Sequence, residues 1–353
     1  MPDWTKSMQQ SFEYYVVDPR TWKEIRRIDK VKSSTVERNS TSDTLGSANF
    51  DIEESLGECY IRVYLITIQN GVTERTSLGT FLAQTLPSSF DGKVRNMSIE
   101  AYTPLIELNE NPLPIGYYTP KDSNTLDEAY KIVRDNARAP VVKTENDNKV
   151  YGDFISNTDD TPLTYVKDLL SSASFELGLD ELSRILFSPK QNIASMQPIW
   201  TFSDDNSSIL YPKISMDYDL YGIPNVVEVI YSKNGSYYST RVVNDDSNSP
   251  LSTINRGREI VHRVMDPDLT GDPTKEQIDE YAEKLLKSLS SLEYTISYEH
   301  GYCPVRVGDC VRLDYKAAGI TDVKAKVISQ SIECTPGCKV TETAVFTKKL
   351  WEG

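Results

Sequence analysis

Residues 60–83 read YIRVYLITIQNGVTERTSLGTFLA, two strand-like runs on either side of the dipeptide Asn70-Gly71. Asn-Gly supplies the two positive φ angles of a type I′ turn, and β-branched and aromatic residues fill both flanks, so this stretch predicts a β-hairpin. Four more turns repeat the device: Asp91-Gly92, Asn234-Gly235, Val307-Gly308-Asp309 and Thr335-Pro336-Gly337. They separate residues 80–86 from 94–102, 226–231 from 237–243, 294–299 from 311–315, and 323–333 from 340–346. The sequence therefore predicts two groups of antiparallel strands with a mixed segment between them.

Other segments extend this prediction. Single strands are expected at residues 12–18 and 47–53, and residues 25–32 and 34–38 are interpreted as a strand pair. Apolar residues at helical spacing predict a helix over 125–139, and Thr161-Pro162 is a typical helix start. Thr274 with Gln277 forms a capping box in front of a helix over 274–292. Residues 175–179 and 184–187 are interpreted as a short hairpin, although a helical periodicity also fits them.

Composition indicates a soluble globular protein of two to four modules. The chain has 353 residues, of which 39% are hydrophobic and 25% charged. No stretch approaches the roughly 20 apolar residues of a membrane span. The polar start Met1-Pro2-Asp3-Trp4 predicts no signal peptide.

The formal net charge of −14 argues against a protein that grips nucleic acid, because such binding needs a basic patch. Only residues 20–32 carry a modest basic excess. We interpret the acidity as a solubility feature, with a channel wall that repels passing DNA as the alternative.

Signals for catalysis are weak. His262 and His300 are the only histidines, and no Gly-X-Ser-X-Gly elbow, P-loop or dinucleotide fingerprint occurs. The sequence therefore predicts neither an enzyme nor a bound cofactor. Adjacent carboxylates, which we interpret as solvated turns, occur at Glu53-Glu54, Asp159-Asp160, Asp204-Asp205 and Asp245-Asp246.

Five cysteines are present, and free thiols are the default expectation for them. Cys303 and Cys310 flank one predicted turn, and Cys334 and Cys338 flank another. Two pairs of thiolates at two tight turns could hold zinc, although the six-residue gap of the first pair fits poorly. A Cys334–Cys338 disulfide is the other alternative, and unpaired thiols in a β-core are the preferred interpretation.

Several strings resemble the baseplate or tail-tip hub family of tailed bacteriophages. They appear in the expected order along nearly the whole chain. They are Asp18-Pro19-Arg20-Thr21-Trp22 through Ser47-Ala48-Asn49-Phe50, Tyr60-Ile61-Arg62-Val63-Tyr64, Ser77-Leu78-Gly79-Thr80-Phe81, Ala101-Tyr102-Thr103-Pro104-Leu105, residues 175–189 and 211–230, Asn255-Arg256-Gly257-Arg258, and Val307-Gly308-Asp309-Cys310-Val311.

The resemblance implies a mainly β fold with an α/β insertion (α+β). It implies a first tail-tube-like β-barrel at 1–108, an α/β insertion domain at 109–198, a second such barrel at 199–250 with 293–353, and a small loop and helix arm at 251–292. Three subunits would form a ring of six barrels that joins a six-fold tail tube to a three-fold tip.

The implied role is that of a structural virion protein, made in the host bacterial cytoplasm and assembled at the tail tip. Its partners would be two further copies of itself, a distal tail or tail tube protein, the C-terminus of the tape-measure protein, and tip, spike or fibre proteins. DNA would pass without specific binding. Because the chain ends just after its last predicted strand, we expect a hub without a fibre or hydrolase extension.

Two other functions stay open at this point. A β-rich carbohydrate-binding or adhesion module would present a groove of exposed aromatic side chains. A glycan hydrolase would use two of the paired carboxylates in a cleft.

Overall fold

A computed structural model describes residues 2–90, 92–93, 95–205, 209–233, 237–267 and 273–351. Strands hold 46% of the chain and helices 16%, which confirms the predicted mainly β class. The chain divides into two compact units, Met1–Ile214 with Ser297–Ala344 and Ser215–Ile296 with Val345–Gly353. The predicted boundaries at 108, 198, 250 and 292 stay predictions. Within the described ranges, no helix has the length and apolar character needed to span a membrane.

The strands and helices are as follows in chain order. The first ten strands are β1 (Gln9–Val17), β2 (Glu24–Ile28), β3 (Val31–Asn39), β4 (Gly46–Ile52), β5 (Cys59–Gln69), β6 (Val72–Thr85), β7 (Ser88–Phe90), β8 (Arg95–Tyr102), β9 (Tyr118–Thr119) and β10 (Phe154–Ile155). The others are β11 (Phe175–Leu179), β12 (Ile185–Pro189), β13 (Trp200–Ser203), β14 (Leu210–Tyr218), β15 (Val226–Tyr231), β16 (Tyr238–Val243), β17 (Val261–Met265), β18 (Ser291–Gly301), β19 (Cys310–Tyr315), β20 (Ile320–Glu333) and β21 (Lys339–Lys349). The α-helices are α1 (Thr125–Asn136), α2 (Pro162–Ser172), α3 (Thr253–Arg256) and α4 (Lys275–Leu289).

The first unit contains a large sheet. Three strands are divided between the two units, and the first unit includes β14 up to Ile214, β18 from Ser297 and β21 up to Ala344. The strand order of the sheet is β14-β18-β21-β20-β3-β4-β8-β6-β5-β1-β2, with β7 beside β8 and with β19 between β13 and β20. Because this order has two ends, β14 and β2, the described strands do not close into a barrel.

The local hairpin predictions are mostly confirmed. β5 and β6 pair across Asn70-Gly71, whose φ angles of 51° and 76° have the sign that a type I′ turn requires. β15 pairs with β16, β8 pairs with β6 and β7, and β20 neighbours β21. Asn234, Gly235 and Asp91 lie outside the described residues.

Two predicted strand pairings are wrong. Residues 25–32 and 34–38 do not pair with each other, because β2 joins β1 while β3 lies between β4 and β20. The predicted hairpin at 307–309 also fails, since β18 neighbours β14 and β21 whereas β19 joins β13 and β20. There the Gly308 N–H donates to the Val327 carbonyl and the Val327 N–H to the Asp309 carbonyl. These bonds tie the turn to β20 instead of returning it to β18.

The α/β segment of the first unit has its own apolar core. α1 begins at the cap Asn124, and α2 begins at a capping box made by Thr161 and Thr164. The predicted helix over 125–139 ends at Asn136, because Ala137 is extended and Pro140 disfavours helical backbone before it. β11 and β12 form the predicted hairpin. Val17, Tyr60 and Leu82 of the large sheet complete this core, together with Trp22 from the connection between β1 and β2.

The second unit is built on a separate three-stranded sheet. β15 lies in the middle, antiparallel to β16 and parallel to β17, a parallel pairing that the sequence did not predict. α4 covers one face, where Ile278, Ala282 and Leu286 pack on residues of β15. Its start confirms the predicted capping box of Thr274 and Gln277, and it ends at Leu289 instead of 292. An amphipathic helix of this kind draws most of its stability from such packing.

Candidate functional site

The four cysteines singled out as metal or disulfide candidates are buried free thiols in the structure. Burial raises the pKa of the Cys334 thiol to about 11, and it also raises the pKa of the Cys303 and Cys338 thiols well above the ordinary value. Zinc is bound by thiolates, and a raised pKa disfavours that form. Among the described residues, no group of three or more His, Cys, Asp or Glu side chains is placed to hold a metal ion.

His300 lies between a cysteine and a glutamate. Its Nδ1 is 3.9 Å from Cys303 Sγ, and its Nε2 is 3.4 Å from Glu342 Oε2. However, Nδ1 donates a hydrogen bond to the Gly301 carbonyl at 2.7 Å, because a carbonyl oxygen can only accept. Nδ1 therefore has no lone pair to take a proton from the thiol, and Cys303 itself is buried with a raised pKa. This arrangement does not meet the requirements of nucleophilic catalysis.

Glu342 is the centre of a buried polar network in the first unit, and its side chain is wholly inaccessible to solvent. The Tyr298 hydroxyl donates to Oε1, and Gln330 Nε2 donates to Oε2 at 2.7 Å. Burial, together with the carboxylate of Glu342, raises the pKa of Tyr298 well above its ordinary value. These two donors satisfy the buried carboxylate, whereas an unpaired one would be costly.

Arg38 extends this network from β21 to β3. Its Nη1 donates to Gln330 Oε1 at 3.1 Å, and its Nη2 donates to the Leu78 carbonyl at 2.9 Å. Since arginine has no acceptor, the Gln330 amide must turn its nitrogen towards Glu342. Burial and the neighbouring Arg306 guanidinium lower the pKa of Arg38 to about 10. The network thus links β3, β20, β21 and β18 through side chains.

Each pair of adjacent carboxylates has a member in an ion pair or a hydrogen bond, and Asp160 accepts the Asn157 N–H at 2.6 Å. Glu53 and Glu54 form ion pairs with Lys32 at 2.6 Å and with Arg26 at 2.8 Å. Asp204 accepts a hydrogen bond from the Ala317 N–H, and Asp246 accepts one from the Asn248 N–H. Side-chain acceptors of this kind are typical of turns and strand ends.

Sequence reasoning missed the network, although one signal was present. Val340, Glu342, Ala344 and Phe346 alternate along β21, and all four are buried. A carboxylate in the apolar phase of a strand indicates a buried polar partner.

Comparisons with known proteins identify the fold. No family model matches the sequence, and no curated protein matches it. The tail protein from Neisseria meningitidis is 14% identical, with a TM-score of 0.61 over 97% of this chain and 98% of that chain. The 43 kDa tail protein of prophage MuSo2 from Shewanella oneidensis is 10% identical, with a TM-score of 0.58 over 95% and 98%.

A third likeness lies outside phage tails. A chain of the Francisella PdpA-VgrG complex is 9% identical and has a TM-score of 0.57, over 97% of this chain and 53% of that one. Identities this low establish the fold alone. The chain has the fold of phage and prophage tail proteins, which confirms its resemblance to proteins of phage tails.

Proposed function

We propose that this protein is a structural, non-catalytic component of a bacteriophage tail, and that three copies form a hub at the tail tip or baseplate. The observation that supports it most is the likeness to a tail protein over 97% of this chain, at a TM-score of 0.61. The site geometry agrees with this role, because His300 and Cys303 are buried and His300 Nδ1 cannot accept the proton of the Cys303 thiol.

In the proposed hub, residues 1–108 and residues 199–250 with 293–353 would serve as two tube-like barrels, whose closure is not seen among the described strands. Three copies would then present six barrels to a six-fold tail tube and a three-fold face to the tip. The strand order of the large sheet leaves β14 and β2 as ends. Unpaired sheet edges are normally covered or paired, and association of copies around a symmetry axis is one way to do so.

The proposed partners are two further copies of this chain, a distal tail or tail tube protein, the C-terminus of a tape-measure protein, and tip, spike or fibre proteins. The hub would be part of the virion and of the path for DNA ejection. The net charge of −14 supports passage of DNA without binding.

Light scattering on the purified chain tests the proposal directly. We expect a mass of three times 39.9 kDa, and negative-stain images with a central opening and six lobes. A monomer at every concentration, both alone and mixed with the tail tube protein of the same phage, would contradict the hub. A monomer that binds glycans would instead support the adhesion alternative.

A further inference from the structure

The two-stranded sheet of β9 and β10 turns an apolar face outwards. Tyr118 pairs with Ile155, and Thr119 pairs with Phe154. Successive side chains of a strand point to opposite faces, and Thr119 is fully buried while Phe154 packs on the core of the α/β segment. Tyr118 and Ile155 therefore share the opposite face, where they are 53% and 67% exposed.

Two further exposed apolar side chains belong to the two segments that these strands connect, residues 113–123 and 149–160. Ile115 is 95% exposed and lies in the turn at 114–117. The Tyr117 carbonyl of this turn accepts a hydrogen bond from the Ser156 N–H at 3.0 Å. Tyr151 is 92% exposed and follows Val150, whose carbonyl accepts the Asp122 N–H at 2.9 Å. We call Ile115, Tyr118, Tyr151 and Ile155 the apolar patch. Single exposed apolar residues are common, but four of them on two hydrogen-bonded segments are typical of an interaction site.

Aspartates outnumber lysines in the two segments that carry the apolar patch. Residues 113–123 and 149–160 contain the two lysines Lys121 and Lys149 and four aspartates, Asp122, Asp153, Asp159 and Asp160. None of these four aspartates forms an ion pair with another residue that the structure describes. The two segments therefore carry a net negative charge, which favours a cationic partner over an anionic one.

We propose that the apolar patch docks a cationic amphipathic segment of a partner protein. Apolar side chains of that segment would cover Tyr118 and Ile155, and its Lys or Arg side chains would lie beside the aspartates. A second copy of this chain fits less well, because two copies meeting through the same patch would bring like charges together. The proposal does not depend on the oligomeric state of the hub.

Peptide titrations on the full chain test the proposal. The probes are two fluorescent synthetic amphipathic helices, one of Leu and Lys and the other of Leu and Glu. The patch variant is Tyr151→Ser with Ile155→Ser. The control variant is Tyr221→Ser with Ile254→Ser, which removes the same side chains at 91% and 61% exposure from the second unit.

We expect the Leu/Lys helix to bind the unchanged chain and the control variant equally, and the patch variant at least about tenfold more weakly, because two apolar contacts are lost. Asp122→Asn with Asp159→Asn should weaken binding and reduce its dependence on salt. Equal affinities of the patch and control variants would overturn the proposal, since they would indicate non-specific attraction to an acidic protein. Tight binding of the Leu/Glu helix would overturn it as well. Light scattering of the two variants tests a second copy as the occupant. If the control variant forms a trimer and the patch variant does not, the patch binds a second copy, and the proposal is overturned.

Discussion

The indole Nε1 of Trp22 donates a hydrogen bond of 2.9 Å to the carbonyl oxygen of Leu182, 160 residues further along the chain. The same carbonyl accepts the Thr80 hydroxyl at 3.0 Å, and the Thr80 N–H donates to Ser183 Oγ at 2.8 Å. Leu182 and Ser183 form the turn between β11 and β12, whereas Thr80 belongs to β6. The α/β segment is therefore joined to the large sheet by directional polar bonds in addition to a shared apolar core.

Two substitutions of Trp22 separate packing from hydrogen bonding. The Trp22 ring packs edge-on against Tyr60 at 4.9 Å and is buried. Trp22→Ala should lower the free energy of unfolding by about 3–5 kcal/mol, because it leaves a cavity. Trp22→Phe keeps most of the apolar contact and should cost only about 1 kcal/mol for the lost donor. Urea denaturation followed by circular dichroism measures both, and an equal loss for the two variants would contradict this account.

Substitution of Glu342 should strongly lower the stability of the first unit. Glu342→Ala removes the acceptor of Tyr298 and Gln330 at once, so we expect a loss of about 3–5 kcal/mol in the free energy of unfolding. Tyr298→Phe removes one donor and should cost about 1 kcal/mol. Because the two groups share a bond, the double variant Glu342→Ala with Tyr298→Phe should lose less than the sum of the single losses. Additive losses in the urea midpoints would show that the network does not act as a unit.

Local signals in the sequence predicted local structure well. The turn at Asn70-Gly71 and the capping box of Thr274 with Gln277 depend on residues a few positions apart, and both are present. The mainly β class follows from the same signals. The burial of Glu342 could also have been predicted, because Glu342 alternates with the apolar residues Val340, Ala344 and Phe346 along β21.

The pairing of strands that lie far apart in the chain could not be predicted from the sequence. β3 pairs with β20, which lies almost 300 residues later, and no local property of residues 31–39 identifies that partner. The parallel pairing of β15 with β17 is similar, since β16 and α3 lie between these strands in the chain. The exposure of Ile115 and Tyr151 likewise depends on what other segments leave uncovered, so the apolar patch could not be predicted from composition.

Gly46 is a position where only glycine fits. It has a φ of 145°, and a Cβ there would lie 2.3 Å from the Glu37 carbonyl oxygen of β3. Gly46→Ala should therefore lower the free energy of unfolding by at least about 1–3 kcal/mol. Gly57→Ala is the matched control, because no atom lies within 4 Å of its Cβ position. Thermal unfolding of the two variants should show a clear decrease in Tm for Gly46→Ala alone. A similar Tm for both would mean that β3 and β4 adjust without cost.

The Cys334 thiol should make the stability of the protein fall in alkali. Burial raises the pKa of this thiol from 9.0 to about 11 in the folded state, so the unfolded chain loses the proton first. The stabilisation is fully present below about pH 9 and is lost as the pH rises through about 11. Two pKa units correspond to roughly 2–3 kcal/mol.

Cys334→Ala isolates this effect, because Cys59, whose pKa burial also raises to about 11, is present in both proteins. Urea midpoints measured under reducing conditions at several pH values should differ by a constant amount below pH 9. Above it, the midpoint of the unchanged protein should fall more steeply than that of the variant, so the difference narrows. Parallel curves across the whole range would show that Cys334 ionises as readily in the folded chain as in the unfolded one, and that the thiol is not shielded from water as the structure indicates.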